Sequence, residues 1–179
     1  MNYLPEPKEG WVIPVSIPVA QEDRQTLATD VGKLIAELAP ELEMPGIDIA
    51  ADVKGEWQGI STESTHPKMS DKERYHVLTG DTKSGPVFLH IHGGGYVTGS
   101  AAMERTATFR IAKTGGARIF AVDYRIAPQH PFPAGLFDAL LAYKYLIDPP
   151  PGAFHDPVDP SNLIVGGDSA GVQYACVAR

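Results

Sequence analysis

Two glycine-bracketed stretches hold residues that could do chemistry. The first is Gly167-Asp168-Ser169-Ala170-Gly171, which follows the short apolar run Asn162-Leu163-Ile164-Val165-Gly166. A serine in a G-x-S-x-G pattern, on a tight turn between a buried strand and a helix, holds its hydroxyl where a substrate can reach it. The glycines have a steric reason. The serine sits in a strained backbone conformation, and its neighbours two residues away must lack side chains so that strand and helix can approach. The same five residues would also suit an ordinary strand-to-helix turn.

The second stretch is His92-Gly93-Gly94-Gly95-Tyr96, after the apolar run Pro86-Val87-Phe88-Leu89-His90-Ile91. Three glycines at a strand's carboxyl end let the backbone approach a ligand with its N–H groups free. Such donors suit a developing oxyanion, where each can be worth about 3 kcal/mol. A phosphate cradle is the rival. A dinucleotide fingerprint needs G-x-G-x-x-G, but Gly93 and Gly95 are followed by Gly99, one residue too late, and no Walker lysine follows. A purely structural Gly-rich turn is the other reading.

The histidines divide by context. His92 is read as holding the glycine loop through a hydrogen bond. His90, inside an apolar strand, is read as a satisfied core histidine, and His130, between Gln129 and Pro131, as fixing a turn. His66, His76 and His155 are scattered. No pair has the spacing of metal ligands on one helix or hairpin, so no metal site is expected.

The elements that position these stretches follow from periodicity. Residues 1–22 are Pro-rich and read as extended. Leu27, Val31, Leu34, Ile35 and Leu38 recur at three and four, a helix period that Pro40 ends. Trp57–Ser61 and Tyr75–Thr79 read as strands, the second followed by turn residues Gly80–Gly85. After the strand ending at Ile91, a helix is expected over 102–113, closed by Gly115-Gly116. Ala117–Val122 is a buried strand, 132–147 a helix with Pro133 in its first turn, and 162–166 the strand before the serine. The second half thus alternates strand and helix, which argues for a parallel sheet with helices on both faces. Its strands are apolar throughout, as both faces would be covered.

Composition bounds the rest. One domain, or a piece of one, fits 179 residues. The net charge of −7, from 15 Lys+Arg against 22 Asp+Glu, disfavours nucleic acid and anionic membranes as partners. Cys176 is the single cysteine, so no internal disulfide forms and a reducing, cytoplasmic setting is expected. No secretory signal is expected from the first residues, and no run approaches the ~18 apolar residues of a membrane span.

Three ordered motifs stand together: His92-Gly93-Gly94-Gly95-Tyr96, then Asp123-Tyr124-Arg125-Ile126-Ala127-Pro128-Gln129-His130-Pro131-Phe132-Pro133-Ala134, then Gly167-Asp168-Ser169-Ala170-Gly171. Over residues 75–171 the chain resembles the hormone-sensitive-lipase-like family of α/β-hydrolases, which cleave carboxylic esters with a serine nucleophile. The resemblance implies Ser169 as nucleophile and the N–H groups of Gly94, Gly95 and Ala170 as the oxyanion hole. It implies supporting roles for His92, Gly93 and Asp168, and a structural network for Asp123, Tyr124 and Arg125. No cofactor is implied, and the implied substrate is a small carboxylic ester. Tyr96 and the helix around Leu34 and Leu38 are expected to shape its pocket. One departure is visible: Val172 stands where the family usually has a further glycine.

In that family an acid and then a histidine follow the serine. Positions 170–179 contain no Asp, Glu or His. A chymotrypsin-like order, with its histidine upstream, belongs to an all-β fold and conflicts with the alternation read here. The resemblance therefore implies a truncated α/β-hydrolase fold with the later strands missing: 1–72 a cap-like segment with one helix, and 73–179 the first half of the catalytic domain. The expected consequences are an inactive or interaction-only chain and an unpaired apolar sheet edge prone to self-association.

Overall fold

The computed structural model describes residues 8–18, 20–42, 46, 48, 49, 51–83 and 85–177. Five strands form one sheet: β1 (Gly10–Ser16), β2 (Lys54–Ile60), β3 (Val87–Ile91), β4 (Arg118–Asp123) and β5 (Leu163–Gly167). Their order is β1-β2-β4-β3-β5. The three strands of the second half run parallel, β3 pairing with β4 on one side and β5 on the other. This is the arrangement that the strand–helix alternation predicts. The sheet as a whole is mixed, because β2 pairs antiparallel with β4 and β1 antiparallel with β2. Strands from both sides of position 72 therefore share one sheet.

Five α-helices accompany it: α1 (Gln21–Leu38), α2 (Asp71–Leu78), α3 (Arg105–Gly115), α4 (Ala134–Ile147) and α5 (Ala170–Val177). Side-chain alternation along the strands sorts them onto two faces. Val87, Leu89 and Ile91 of β3, with Phe120 and Val122 of β4, share a core with Leu136, Phe137 and Leu141 of α4 and Tyr174 of α5. Phe88 and Ile119 face the other way, against Ile111 and Ala112 of α3. Helices thus cover both faces. At the centre Trp57 is fully buried, its ring 5.1 Å from both Tyr75 and Phe120. Burial of each such side chain stabilises the fold by about 2–3 kcal/mol.

One expected strand is a helix. Tyr75–Thr79 lies mostly in α2, whose start is set by a capping box at Ser70. The Ser70 hydroxyl accepts the Glu73 N–H at 3.3 Å and the Glu73 carboxylate accepts the Ser70 N–H at 2.8 Å. Tyr75 and Leu78, three residues apart, both turn into the core. The S-x-x-E signal is in the sequence and outweighs the β-favouring run Tyr75-His76-Val77. Helix α3 ends as expected at Gly116, in the left-handed region at φ 58°. Among the described residues no helix is long and apolar enough to cross a membrane.

Candidate active site

The turn from β5 to α5 carries Ser169. Its φ is 45°, a left-handed conformation that a non-glycine residue adopts only where its surroundings enforce it. The enforcement is visible on both sides. A Cβ on Gly167 would lie 2.0 Å from the Ile91 carbonyl oxygen, and one on Gly171 only 1.9 Å from the same atom. The end of β3 therefore presses directly on the elbow, and only glycine fits at either position. Ser169 and Asp168 are exposed, while Ala170 and Gly171 are buried.

β3 runs straight on into the glycine loop, so the contact that fixes the elbow also sets the loop beside it. The Gly93 N–H donates to Asp168 Oδ1 at 2.7 Å. Gly94, Gly95 and Tyr96 follow with φ of 113°, 61° and 67°, a left-handed run that turns the loop away from the sheet. The loop closes on itself through hydrogen bonds from Val97 and Thr98 N–H to the Gly94 carbonyl, at 3.2 and 3.1 Å. Among the described residues the N–H groups of Gly94, Gly95 and Ala170 donate no hydrogen bond.

His92 lies beneath this loop, 1% exposed. Its Nδ1 is 2.7 Å from the Gly93 carbonyl oxygen, which can only accept, so Nδ1 carries the proton. Its ring stacks on Tyr124 at 4.1 Å, and the Tyr124 hydroxyl donates to the His92 carbonyl at 2.9 Å. Burial first, then the nearby Tyr174, push the Tyr124 hydroxyl well above the usual phenol range. It stays a protonated donor at any physiological pH.

The rest of the middle motif anchors the loops around the elbow. Asp123 Oδ1 accepts the Ala101 N–H at 3.0 Å. Arg125 pairs with Asp138, which is fully buried, through Nε at 2.9 Å and an outer nitrogen at 2.7 Å. Asp138 also accepts the Arg125 backbone N–H at 2.8 Å. Burial pushes the Asp138 carboxyl up, against the opposing pull of Arg125.

An open apolar cavity of about 640 Å³ adjoins the glycine loop. Leu34, Ile35 and Leu38 of α1 line it opposite Gly95, Tyr96 and Phe132. The tyrosine hydroxyl of Tyr96 donates to Gln173 of α5, and its ring lies 5.3 Å from Tyr174. Gln173 carries no sequence signal; only the fold brings it here. A smaller polar cavity of about 200 Å³ around Arg118 and His155 lies at the opposite end of the parallel strands, away from Ser169.

Residues 88–178 match the alpha/beta hydrolase fold family. The chain belongs to the α/β-hydrolases, and to their hormone-sensitive-lipase-like type. Among its relatives, an ethyl acetate hydrolase of Pseudomonas putida is 37% identical over 94 residues, 52% of this chain and 29% of that protein. A solved mutant esterase superposes with a TM-score of 0.58 at 26% identity, covering 98% of this chain and 39% of the other. A solved esterase of the bacterial hormone-sensitive lipase family is 29% identical with a TM-score of 0.50, over 92% of this chain and 46% of that one. The chain thus spans less than half the length of these relatives.

The structure brings Ser169, Asp168, Ala170, Gly93, Gly94, Gly95 and His92 into one neighbourhood. It corrects the reading of His90. The residue is in the core, 4% exposed, but its Nδ1 is buried with no hydrogen-bond partner among the described residues. An apolar strand hides a ring without supplying acceptors or donors for it.

Proposed function

We propose that this chain carries the nucleophile and the anion-stabilising loop of a carboxylic ester hydrolase. The observation that supports it most is Ser169 at φ 45° on the β5–α5 turn, next to a loop whose Gly94 and Gly95 amides are unengaged among the described residues. In this reading Ser169 Oγ attacks the ester carbonyl carbon, and the carbonyl π electrons move onto oxygen. The N–H groups of Gly94, Gly95 and Ala170 stabilise that oxyanion. Its collapse breaks the bond to the alcohol oxygen, which leaves with the serine's proton, and the acyl group stays on Ser169. Water repeats the sequence and releases the acid. His92, Gly93 and Asp168 support the loop and do not react.

The Pseudomonas relative, an ethyl acetate hydrolase, favours a small ester. The cavity beside Gly95 would take its apolar part, with Tyr96, Leu34 and Leu38 as walls. Within residues 1–72, α1 would then be the cap-like part that contributes to that wall, while β1 and β2 extend the sheet of 73–179.

The serine's proton needs a base. Among the described residues no histidine hydrogen-bonds the Ser169 hydroxyl, and His92 has its protonated nitrogen on the Gly93 carbonyl. In another serine hydrolase, loss of the histidine lowers turnover by ~10⁶. These 179 residues by themselves are therefore proposed to hydrolyse esters poorly. The test combines p-nitrophenyl acetate turnover with fluorophosphonate labelling, each compared with Ser169→Ala. Labelling at Ser169 without enzymic turnover is expected. Ordinary turnover abolished by Ser169→Ala would overturn the claim of low activity.

A second reading, an interaction module, is favoured by one observation. Among the described residues β5 pairs only with β3, and Ile164 on it is 49% exposed. A second copy of the chain is the occupant proposed for this edge, pairing strand to strand. No labelling at Ser169, with a sedimentation-measured dimer that Ile164→Lys dissolves, would favour this reading.

A further inference from the structure

Three residues that the sequence keeps far apart meet behind the elbow. His90 comes from β3, Glu104 from the 3-10 turn Ala101–Glu104 before α3, and Asp168 from the turn before Ser169. One imidazole nitrogen and one oxygen of each carboxylate lie within 4.8 Å of one another. The burial is graded. His90 is 4% exposed, Glu104 half-buried and Asp168 exposed, so the group has a closed floor and an open side.

Left to themselves these groups fit together badly. The two carboxylates lie within 4.8 Å of each other, and like charges at this range disfavour joint ionisation. The His90 ring meanwhile buries an Nδ1 that no hydrogen bond among the described residues satisfies, which costs free energy unless something takes its place.

We propose that His90, Glu104 and Asp168 form a binding site for one divalent transition-metal cation, with Zn²⁺ the best match. A single ion answers all three groups: it neutralises the two carboxylates and engages the imidazole. The donor set selects the ion. One imidazole with two carboxylates is the mixed N/O set that zinc accepts, whereas Ca²⁺ and Mg²⁺ favour oxygen throughout. Tetrahedral ligands at zinc distances stand roughly 3.4 Å apart. Ion binding would have to draw the observed spread of up to 4.8 Å in to that, and the half-buried Glu104 carboxylate, which no hydrogen bond among the described residues holds, is the ligand that would move. Three protein ligands leave a fourth position for water on the open side.

The site would act on the elbow from behind. Asp168 already accepts the Gly93 N–H, and a carboxylate has lone pairs enough for that donor and a cation together. A bound ion would tie β3, the turn before α3 and the elbow at one point, holding Asp168 against the glycine loop. It is a structural or regulatory cation and takes no part in ester cleavage, so its existence is independent of the proposed activity.

The experiment uses the whole 179-residue chain stripped of metal with a chelator, then titrated with Zn²⁺ by calorimetry and with Co²⁺ by visible absorption. One equivalent is expected to bind, with Co²⁺ giving d–d bands of low-coordinate N/O ligation. Glu104→Gln, with its circular dichroism unchanged, should weaken binding at least ~10-fold. Asp30→Asn, on exposed α1, should leave it unchanged and so distinguishes this site from scattered surface acids. No saturable one-to-one binding overturns the proposal, as does a folded Glu104→Gln that binds like the parent. Should Glu104→Gln not fold, His90→Gln carries the same comparison, and absence of cobalt bands in the parent chain overturns the site by itself.

Discussion

The Gly93 backbone N–H donates to Asp168 Oδ1 over 2.7 Å, joining the two glycine-rich stretches across 75 positions of sequence. Through this bond the loop after β3 and the turn after β5 hold a fixed relation, in addition to the packing of Gly167 and Gly171 against the end of β3. A hydrogen bond to an ionised carboxylate contributes about 1.5–3 kcal/mol when buried, and less where water competes. Asp168 is exposed. Asp168→Ala should therefore lower stability by about 1 kcal/mol, while Asp168→Asn, which keeps an acceptor oxygen, should recover most of the loss. Urea unfolding in the presence of a chelator reads this bond without any contribution from a metal. Equal midpoints for the parent and Asp168→Ala would show that the link does not brace the loop.

Glycine at 171 is required by contact. A Cβ there would meet the Ile91 carbonyl oxygen at 1.9 Å and the His92 carbonyl oxygen at 2.8 Å, both backbone atoms at the end of a central strand. Neither can move without breaking the β3 ladder. Gly171→Ala should cost about 3 kcal/mol or more, enough to abolish cooperative melting in a marginal domain. Gly32 in α1 gives the contrast, since a Cβ there meets nothing within 4 Å. Gly32→Ala should gain about 0.5–1 kcal/mol by removing glycine's excess freedom from a helix interior. Paired thermal melts check both, and a tolerated Gly171→Ala would mean that the elbow and β3 are not packed this closely.

What could be read ahead of the structure was what local chemistry dictates. Gly93, Gly94, Gly167 and Gly171 were legible because a close approach excludes a side chain, Gly95 because its φ of 61° suits glycine, and β3 and β4 because covered strands are apolar on both faces; β5 keeps the same apolar run although Ile164 is exposed. α2 was misread because Tyr75-His76-Val77 favours strand, while the deciding Ser70–Glu73 box lies outside that run. The antiparallel pairing of β1 and β2 depends on contacts such as Ile13 opposite Trp57, which no periodicity within either strand specifies. The meeting of His90, Glu104 and Asp168 is of the same kind. Ligand spacing along one helix or hairpin cannot see residues that only a parallel sheet and a crossover helix bring together.

The Arg125–Asp138 pair is a lock for the loop between β4 and α4. Asp138 is fully buried and receives Nε, an outer nitrogen and the backbone N–H of Arg125, and Arg125 also donates to the Asp48 carbonyl at 2.7 Å. A lysine retains the charge but cannot reproduce the fork. Arg125→Lys should destabilise by about 2–3 kcal/mol, and Arg125→Ala by about 3–5 kcal/mol because a buried carboxylate is left unpaired. Denaturant midpoints would order the three proteins, and Arg125→Lys at parent stability would show that charge suffices without geometry.

His155 predicts how stability depends on pH. Its Nε2–H donates to the Tyr145 carbonyl at 3.2 Å, its Nδ1 is buried without a partner among the described residues, and the rings of Trp57 and Tyr145 lie 5.0 and 4.7 Å away. Burial, above all, brings its pKa from 6.5 down to about 4; Arg118 lowers it further, while the Tyr145 and Leu146 carbonyls and the Asp156 charge oppose. Between those two values the unfolded chain holds a proton that the folded one does not. Stability from this group is therefore complete above about pH 6.5 and declines as pH falls towards about 4, by at most ~3 kcal/mol. His155→Gln keeps a donor for Tyr145 but does not titrate. Urea midpoints from about pH 7 to about pH 4 should fall more steeply for the parent than for His155→Gln, the difference between the two isolating this histidine from other groups that titrate in the same range. Parallel curves would mean that the ring is protonated in place or is reached by water.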